Sequence, residues 1–489
     1  MPLESEAKMG WSREQGGSVG KGADPVDRGR HLYQQRLVAA EPAANLGRNG
    51  QGSRATLETD NPMPIIANYV SHCLRLSLTL LAGACLALPT SLAQENAANS
   101  KQKDAPPGAP GAIAESGSRN ASADAMEGSD YQAAPTAFRE HLKKMREAQV
   151  KYHLSEDTSN DKKFRRQWAE LCDQGRPLAA KAYAVMLKKF TENPSANVQI
   201  GKFLAELLER NVLDSRFEGM LEMGLALHSA GISSEKIPEA IALSAVAENK
   251  FDVAKPWIEK HFKESSKPRP VLGSIYEHLD ELSKDWVAEL LIREEDAKGE
   301  PLPRVSILTT KGEISVELFE NEAPETVANF IHLVEDGFYD GLMFHRVLEH
   351  FMAQTGCPDG DGTGGPGYSI YGEAKEPNAR KYFRGTLGMA LSNGDANSGG
   401  SQFFICFVPT FNLNGQYTAF GRIVSGIDVI GNLAQVNPDE KKKEGEVPAV
   451  LDEIIEAKVV RKRNHEYKPN KFTGAPTSTL PSASQSSKQ

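Results

Sequence analysis

Cysteine is scarce: the five in 489 residues fall at 73, 85, 172, 357 and 406, with no spacing that matches a zinc or iron–sulfur ligand set. Loss of an N-terminal leader carrying the first two would leave an odd three, so no disulfide framework is implied. Long apolar runs are also missing. The most apolar stretch, 76–88, is thirteen residues long, where a membrane span needs about 20. Basic residues are in deficit, the net charge being −9, which argues against nucleic acid as the main partner. A phosphate loop is lacking too. Gly360-Asp361-Gly362-Thr363-Gly364-Gly365 has the glycine pattern, but Pro366-Gly367 follows where a helix should open. Asp359, Asp361 and Thr363 resemble the start of a calcium loop, yet Ile370 stands where its closing Glu belongs. No metal and no cofactor is called for.

What is present falls into blocks of distinct composition. Residues 1–62, rich in Gly, Arg, Glu and Gln without apolar periodicity, read as a disordered or spurious extension. Met63 then opens a conventional signal sequence, 63–93: Arg75, the apolar core 76–88, the breaker Pro89, and Ser91-Leu92-Ala93 as small residues at a cleavage position. Export to a periplasm or out of the cell is the expectation. The alternative is a membrane anchor through 74–92, and a membrane is a partner only in that case. Residues 94–135, of Ala, Gly, Pro, Ser and Asn, read as a low-complexity linker.

From 136 to 300 a 3.6-residue periodicity takes over. It predicts helices near 136–153, 162–173, 178–191, 195–210, 216–230, 235–248, 251–264, 271–282 and 284–297. The piece from Ile241 to Ala254 is similar to a tetratricopeptide hairpin junction, so the region is expected to be an α-helical hairpin array. Such arrays present grooves to peptides or partner proteins; a plain spacer or dimerisation role is the other reading.

Over 304–462 the pattern changes again. Residues 304–309 and 312–318 alternate with period two about a Lys311-Gly312 turn. Pro324-Glu325-Thr326 opens a helix whose apolar face is Val327, Phe330, Ile331 and Val334, and Asp336-Gly337 ends it. Short β-rich pieces cut by glycines follow, with a last strand at 454–460. The expected fold is a closed antiparallel β-barrel with flanking helices. Residues 463–489 are expected to be a disordered tail.

Three clusters in this region carry the chemistry: Phe344-His345-Arg346-Val347, Phe351-Met352-Ala353-Gln354 and Gly400-Ser401-Gln402-Phe403-Phe404-Ile405. They bring a permanently charged five-donor fork among large apolar side chains and two amides, with no nucleophile. That set suits an apolar substrate that changes shape rather than bonding, such as a prolyl peptide. Together with Gly-Thr-Gly-Gly at 362–365, Tyr371-Gly372-Glu373 and Phe420-Gly421-Arg422, the clusters closely resemble the cyclophilin family of peptidyl-prolyl isomerases, in family order and near-family spacing.

The resemblance implies that Arg346 is the essential arginine. It places the proline pocket on Phe351, Met352, Phe404 and Leu413, with Tyr417 where the family has a pocket-edge histidine. Gln354 and Gln402 would orient the substrate backbone and hold the arginine, and Ala390 and Leu391 would line the groove. Asn412 stands where many members carry tryptophan, with Phe411 adjacent. The substrates implied are proline-containing polypeptides. The alternative is a non-catalytic proline-peptide binding module on a helical interaction scaffold.

Overall fold

The computed structural model describes residues 121–153, 161–392, 394–440 and 451–473. The expected N-terminal extension, the signal segment and the linker as far as 120 lie outside these residues, as does 474–489.

Eight helices precede the first strand among the described residues: α1 (Ala121–His153), α2 (Asp161–Glu192), α3 (Val198–Leu213), α4 (Met220–Ser229), α5 (Lys236–Ala247), α6 (Phe251–Glu264), α7 (Pro270–Glu277) and α8 (Leu279–Lys298). Three boundaries differ from the periodicity. Residues 121–135, read as linker, are helical, as their alanine content favours. The break expected between 173 and 178 is absent, because α2 runs through Pro177. One missing amide costs less than releasing either half of a helix packed along α1. The break placed after 282 instead falls at His278.

The helices share one core that includes Phe190, Leu204, Leu208, Phe217, Ile241 and Ile258. Helix α5 is buried almost all round, the mark of a helix inside a bundle. Asn249 makes the turn from α5 to α6 at φ +57, a left-handed conformation that asparagine tolerates better than most.

The second half of the chain is one antiparallel sheet of eight strands: β1 (Arg304–Thr309), β2 (Gly312–Leu318), β3 (Arg346–Leu348), β4 (Met352–Thr355), β5 (Thr386–Met389), β6 (Phe403–Cys406), β7 (Ala419–Ser425) and β8 (Ile454–Arg461). Helix α9 (Pro324–Glu335) and the short α10 (Ile427–Ile430) flank it. The hairpin β1–β2, helix α9 and the last strand stand where period and punctuation place them.

The strand order β3-β4-β6-β5-β7-β2-β1-β8 leaves β3 and β8 at opposite edges, so the sheet is a curled half-barrel and not the closed barrel expected. Each edge is occupied by something other than its counterpart. Val347 of β3 bridges Val436, and Glu453 before β8 bridges Met343. With β3 only three residues long, these crossing segments satisfy edge groups that closure would otherwise have paired. The concave side encloses Val305, Ile307, Phe330, Tyr339, Phe403, Ile405 and Phe420.

Residues 463–473, expected to begin a disordered tail, pack on the sheet instead. Tyr467 is buried with its hydroxyl donating to Glu320 (3.1 Å), Ile370 bridges Lys471, and the Phe472 amide donates to the Ser369 carbonyl (2.8 Å).

The two halves meet along a seam of arginines. Arg176 of α2 reaches Asp428 (2.6 Å) and the Lys311 carbonyl (2.8 Å), and Arg384 reaches Glu218 (2.6 Å). Phe383 and Val408, from the sheet half, are members of the helical core, and Phe383 meets the Trp286 ring edge-on at 4.9 Å.

Candidate active site

Strand pairing assembles the site from sequence-distant pieces. Arg346 on β3 lies opposite Gln354 on β4, Gln354 lies opposite Phe404 on β6, and Phe404 lies opposite Gly388 on β5. Alternation sorts the faces. Along β6, Phe403 and Ile405 enter the half-barrel core, whereas Phe404 and Cys406 join a separate cluster with Met352, Leu413 and Ala419. Phe351, Ala390 and Tyr417 pack against this second cluster.

The Phe404 ring fixes the floor of that cup. It meets Tyr417 edge-on at 5.7 Å and stacks on Tyr382 at 5.7 Å. The ring lies so close over β5 that a Cβ on Gly388 would stand 2.2 Å from it. Only glycine leaves that room.

Beside the cup, Arg346 is three-quarters buried, and its guanidinium takes no hydrogen bond among the described residues; its one carboxylate neighbour is the exposed Asp439 at 4.0 Å. Burial lowers its proton affinity, while Asp439 and the nearby Tyr417 oppose that. Guanidinium still titrates far above neutrality, so the fork is cationic with free donors.

Among the described residues no hydrogen bond joins Gln354 or Gln402 to the arginine. The Gln354 amide donates to Gln402 Oε1 (2.9 Å), and Gln402 Nε2 donates in turn to the carbonyls of Gly362 and Gly364, both 2.8 Å. The same glycine loop is gripped from its other side by Cys357, whose Sγ accepts the amides of Gly362 and Gly364 at 3.2 Å. The glycine loop is therefore a wall of the site, and its amides at Gly362, Thr363 and Gly364 are already engaged.

Arg346, the two glutamines, Ala390 and the five residues of the expected proline pocket and its edge are thus brought together. Leu391, expected to line the groove beside Ala390, has its Cδ2 beside Gly399. Phe411 turns away from the cup, stacking on His278 at 4.0 Å and packing against the helical core. Tyr382 and Cys406 were missed. Tyr382 lies in an irregular segment with no periodicity to point to it, whereas Cys406 could have been found by carrying the alternation of β6 one step further. Burial pushes the Cys406 thiol up to about 12, so it serves here as a small apolar side chain.

A three-quarters-buried cation set beside an apolar cup makes no hydrogen bond and meets no activated nucleophile among the described residues. Its capacity is to bind an apolar ring and donate hydrogen bonds to what the ring is attached to.

Residues 304–459 match the family model described as cyclophilin type peptidyl-prolyl cis-trans isomerase/CLD. A peptidyl-prolyl cis-trans isomerase of Helicobacter pylori (strain ATCC 700392 / 26695) is 46% identical over 149 residues, covering 29% of this chain and 90% of the relative. Peptidyl-prolyl cis-trans isomerase B of Bacillus subtilis (strain 168) is 48% identical over 128 residues, covering 26% and 87%. Among solved structures, a Cryptosporidium parvum cyclophilin type isomerase, crystallised in the presence of the dipeptide Ala-Pro, is 30% identical and covers 32% of this chain and 99% of its own, at a TM-score of 0.29.

Proposed function

Because the chain belongs, through residues 304–459, to the cyclophilin-type peptidyl-prolyl cis-trans isomerases, we propose that Arg346 is the group that turns X-Pro amides in its client polypeptides. Rotation about such a bond faces a barrier of about 18–20 kcal/mol because twisting breaks amide resonance. No covalent bond changes, so a catalyst need only bind the twisted amide better than either planar form. As the amide twists, the prolyl nitrogen pyramidalises and regains a lone pair that a fixed donor can meet.

The observation that carries this reading is the uncommitted Arg346 guanidinium beside the Phe404 cup. The proline ring would occupy the cup formed by Phe351, Met352, Phe404, Leu413 and Tyr417. Water excluded by the ring lowers the local dielectric and strengthens the arginine's hydrogen bond. Arg346→Ala tests this in a protease-coupled peptide assay. Removal of one transition-state donor typically costs about 3 kcal/mol, so kcat/KM should fall roughly a hundredfold with melting unchanged. Equal rates in both proteins refute the role. Retained peptide affinity with no turnover in the wild-type chain would favour the binding-module alternative.

We further infer that the clients are exported proteins, which rests on the signal-like segment 63–93, outside the described residues. N-terminal sequencing of the mature protein tests that inference: a start before Met63 sinks cleavage. The helical hairpins, tetratricopeptide-like around 241–254, supply a surface for a client or partner protein.

A further inference from the structure

We propose that the helical half of the chain is a positioning element for the proline cup, acting through His350. This deepens the isomerase reading and rests on it. His350 sits in the turn that joins β3 to β4, directly between the arginine strand and Phe351-Met352 of the cup. It is buried, and its φ is +53, a left-handed conformation that costs a non-glycine residue of order 1–3 kcal/mol and persists only when its surroundings over-determine it.

The surroundings that do so belong to the helical half. The His350 amide donates to Ser215 Oγ at 2.9 Å. Its Nε2–H donates to the Val212 carbonyl at 2.6 Å, at the end of α3. That tautomer leaves Nδ1 as an acceptor, and Arg269 Nη1 stands 3.5 Å from it. Arg269 also donates to Glu349 in the same turn (3.2 Å) and is anchored by an ion pair to Glu239 of α5. The Phe217 ring lies against the imidazole at 6.1 Å between centroids.

Ser215 is itself left-handed, at φ +60. Among the described residues three non-glycines take positive φ, and two of them, Ser215 and His350, hydrogen-bond each other across the seam. Ser215 is left-handed because it closes α3, its amide donating to the Val212 carbonyl (3.0 Å) and the Arg216 amide to the Asn211 carbonyl (2.8 Å). That cap is built within the helical half and presents the Ser215 hydroxyl to His350, whose own conformation is held across the seam.

The consequence reaches the site through the hairpin. The Phe351 amide donates to the Leu348 carbonyl (3.2 Å), and the Phe351 carbonyl accepts the Phe407 amide (2.9 Å). Arg346 pairs with Gln354 on the same two strands. A turn released at His350 would shift the cation and the cup relative to one another.

The test uses the full chain with two variants that keep the backbone free to stay left-handed. His350→Gly removes the imidazole contacts, and Ser215→Gly removes only the hydroxymethyl group that accepts the His350 amide. Because a displacement on the order of 1 Å can cost up to about a hundredfold in rate, His350→Gly should lower kcat/KM roughly ten- to a hundredfold, and Ser215→Gly by less. Both should speed hydrogen exchange over 346–355 while leaving the β1–β2 hairpin protected. A purely structural role would lower the melting temperature and leave kcat/KM of the folded protein alone. Values within twofold of wild type for both variants, measured well below melting, overturn the proposal. Should the wild-type chain show no turnover, the isomerase reading fails instead, and unchanged exchange over 346–355 in both variants then overturns the latch.

Discussion

Two arginines of the sheet half, Arg346 at the cup and Arg380 at the seam, show what separates a working cation from a building one. Arg380 has no exposed side-chain surface. Its guanidinium contacts both Glu289 oxygens at 2.9 Å, Asp296 at 2.9 Å and Glu322 at 3.2 Å, and it stacks over the Phe319 ring at 4.1 Å. Burial works to raise the Glu289 carboxyl, yet Arg380 and Arg293 outweigh it and hold it below the usual carboxylate range. Every donor that counts is committed. Arg346, by contrast, has among the described residues one distant and exposed counter-ion. Satisfaction of donors, more than burial, distinguishes the two roles.

The sharpest way to break that comparison is to remove the satisfied charge. Arg380→Met should cost about 3–5 kcal/mol of stability, because it strands the buried Asp296 and Glu322 carboxylates and leaves Glu289 to Arg293. A denaturant midpoint unchanged from wild type would contradict this, and kcat/KM per folded molecule should stay near normal. Arg346→Ala is the mirror image, with about 3 kcal/mol lost from the transition state and an unaltered midpoint. A swap of these two phenotypes would sink the distinction.

Acid provides a milder probe of the seam. Burial first, and then the Arg269 charge, pushes the His350 imidazole down from 6.5 to about 4, against opposing pulls from its hydrogen bond to the Val212 carbonyl and from Glu239. Between those values the unfolded chain binds a proton that the folded chain refuses. Stability is therefore fully present above 6.5 and falls as the pH drops toward 4, by up to about 3 kcal/mol. Melting curves from pH 7 to 4 should show that this loss shrinks in His350→Gly; an identical loss in both proteins would assign it to other groups. A smaller change is expected on the cup itself. Gly388→Ala crowds the Phe404 ring and should cost about 1–3 kcal/mol, read as raised KM together with a lower melting temperature. A variant with normal KM and stability would show that the ring can move.

Local rules accounted for the parts of the molecule that are local. The β1–β2 hairpin and α9 were legible because period-two alternation and a Pro-start, Gly-stop helix signal are written within a dozen residues. The cup was legible from motif resemblance, and the structure brings Phe351, Met352, Phe404, Leu413 and Tyr417 to one place. Seam residues were not legible, since Arg380 and Glu289 are separated by 91 residues and His350 and Ser215 by 135. Neither pair has a periodicity to betray it. The open sheet was missed for a related reason, as strand propensity says nothing about whether Val347 will meet β8 or Val436. Pro177 misled through a local rule that tertiary packing overrode.

Phe383 and Val408, seated in the helical core, bear on how the molecule can be dissected. Composition suggests a cut near residue 300 that would yield an autonomous isomerase and a separable scaffold. Such a fragment would present a raw aromatic scar to solvent and leave a left-handed histidine with nothing to lean on. Activity lost on truncation would then report surgery rather than client recruitment, and point substitutions in the intact chain are the cleaner instrument.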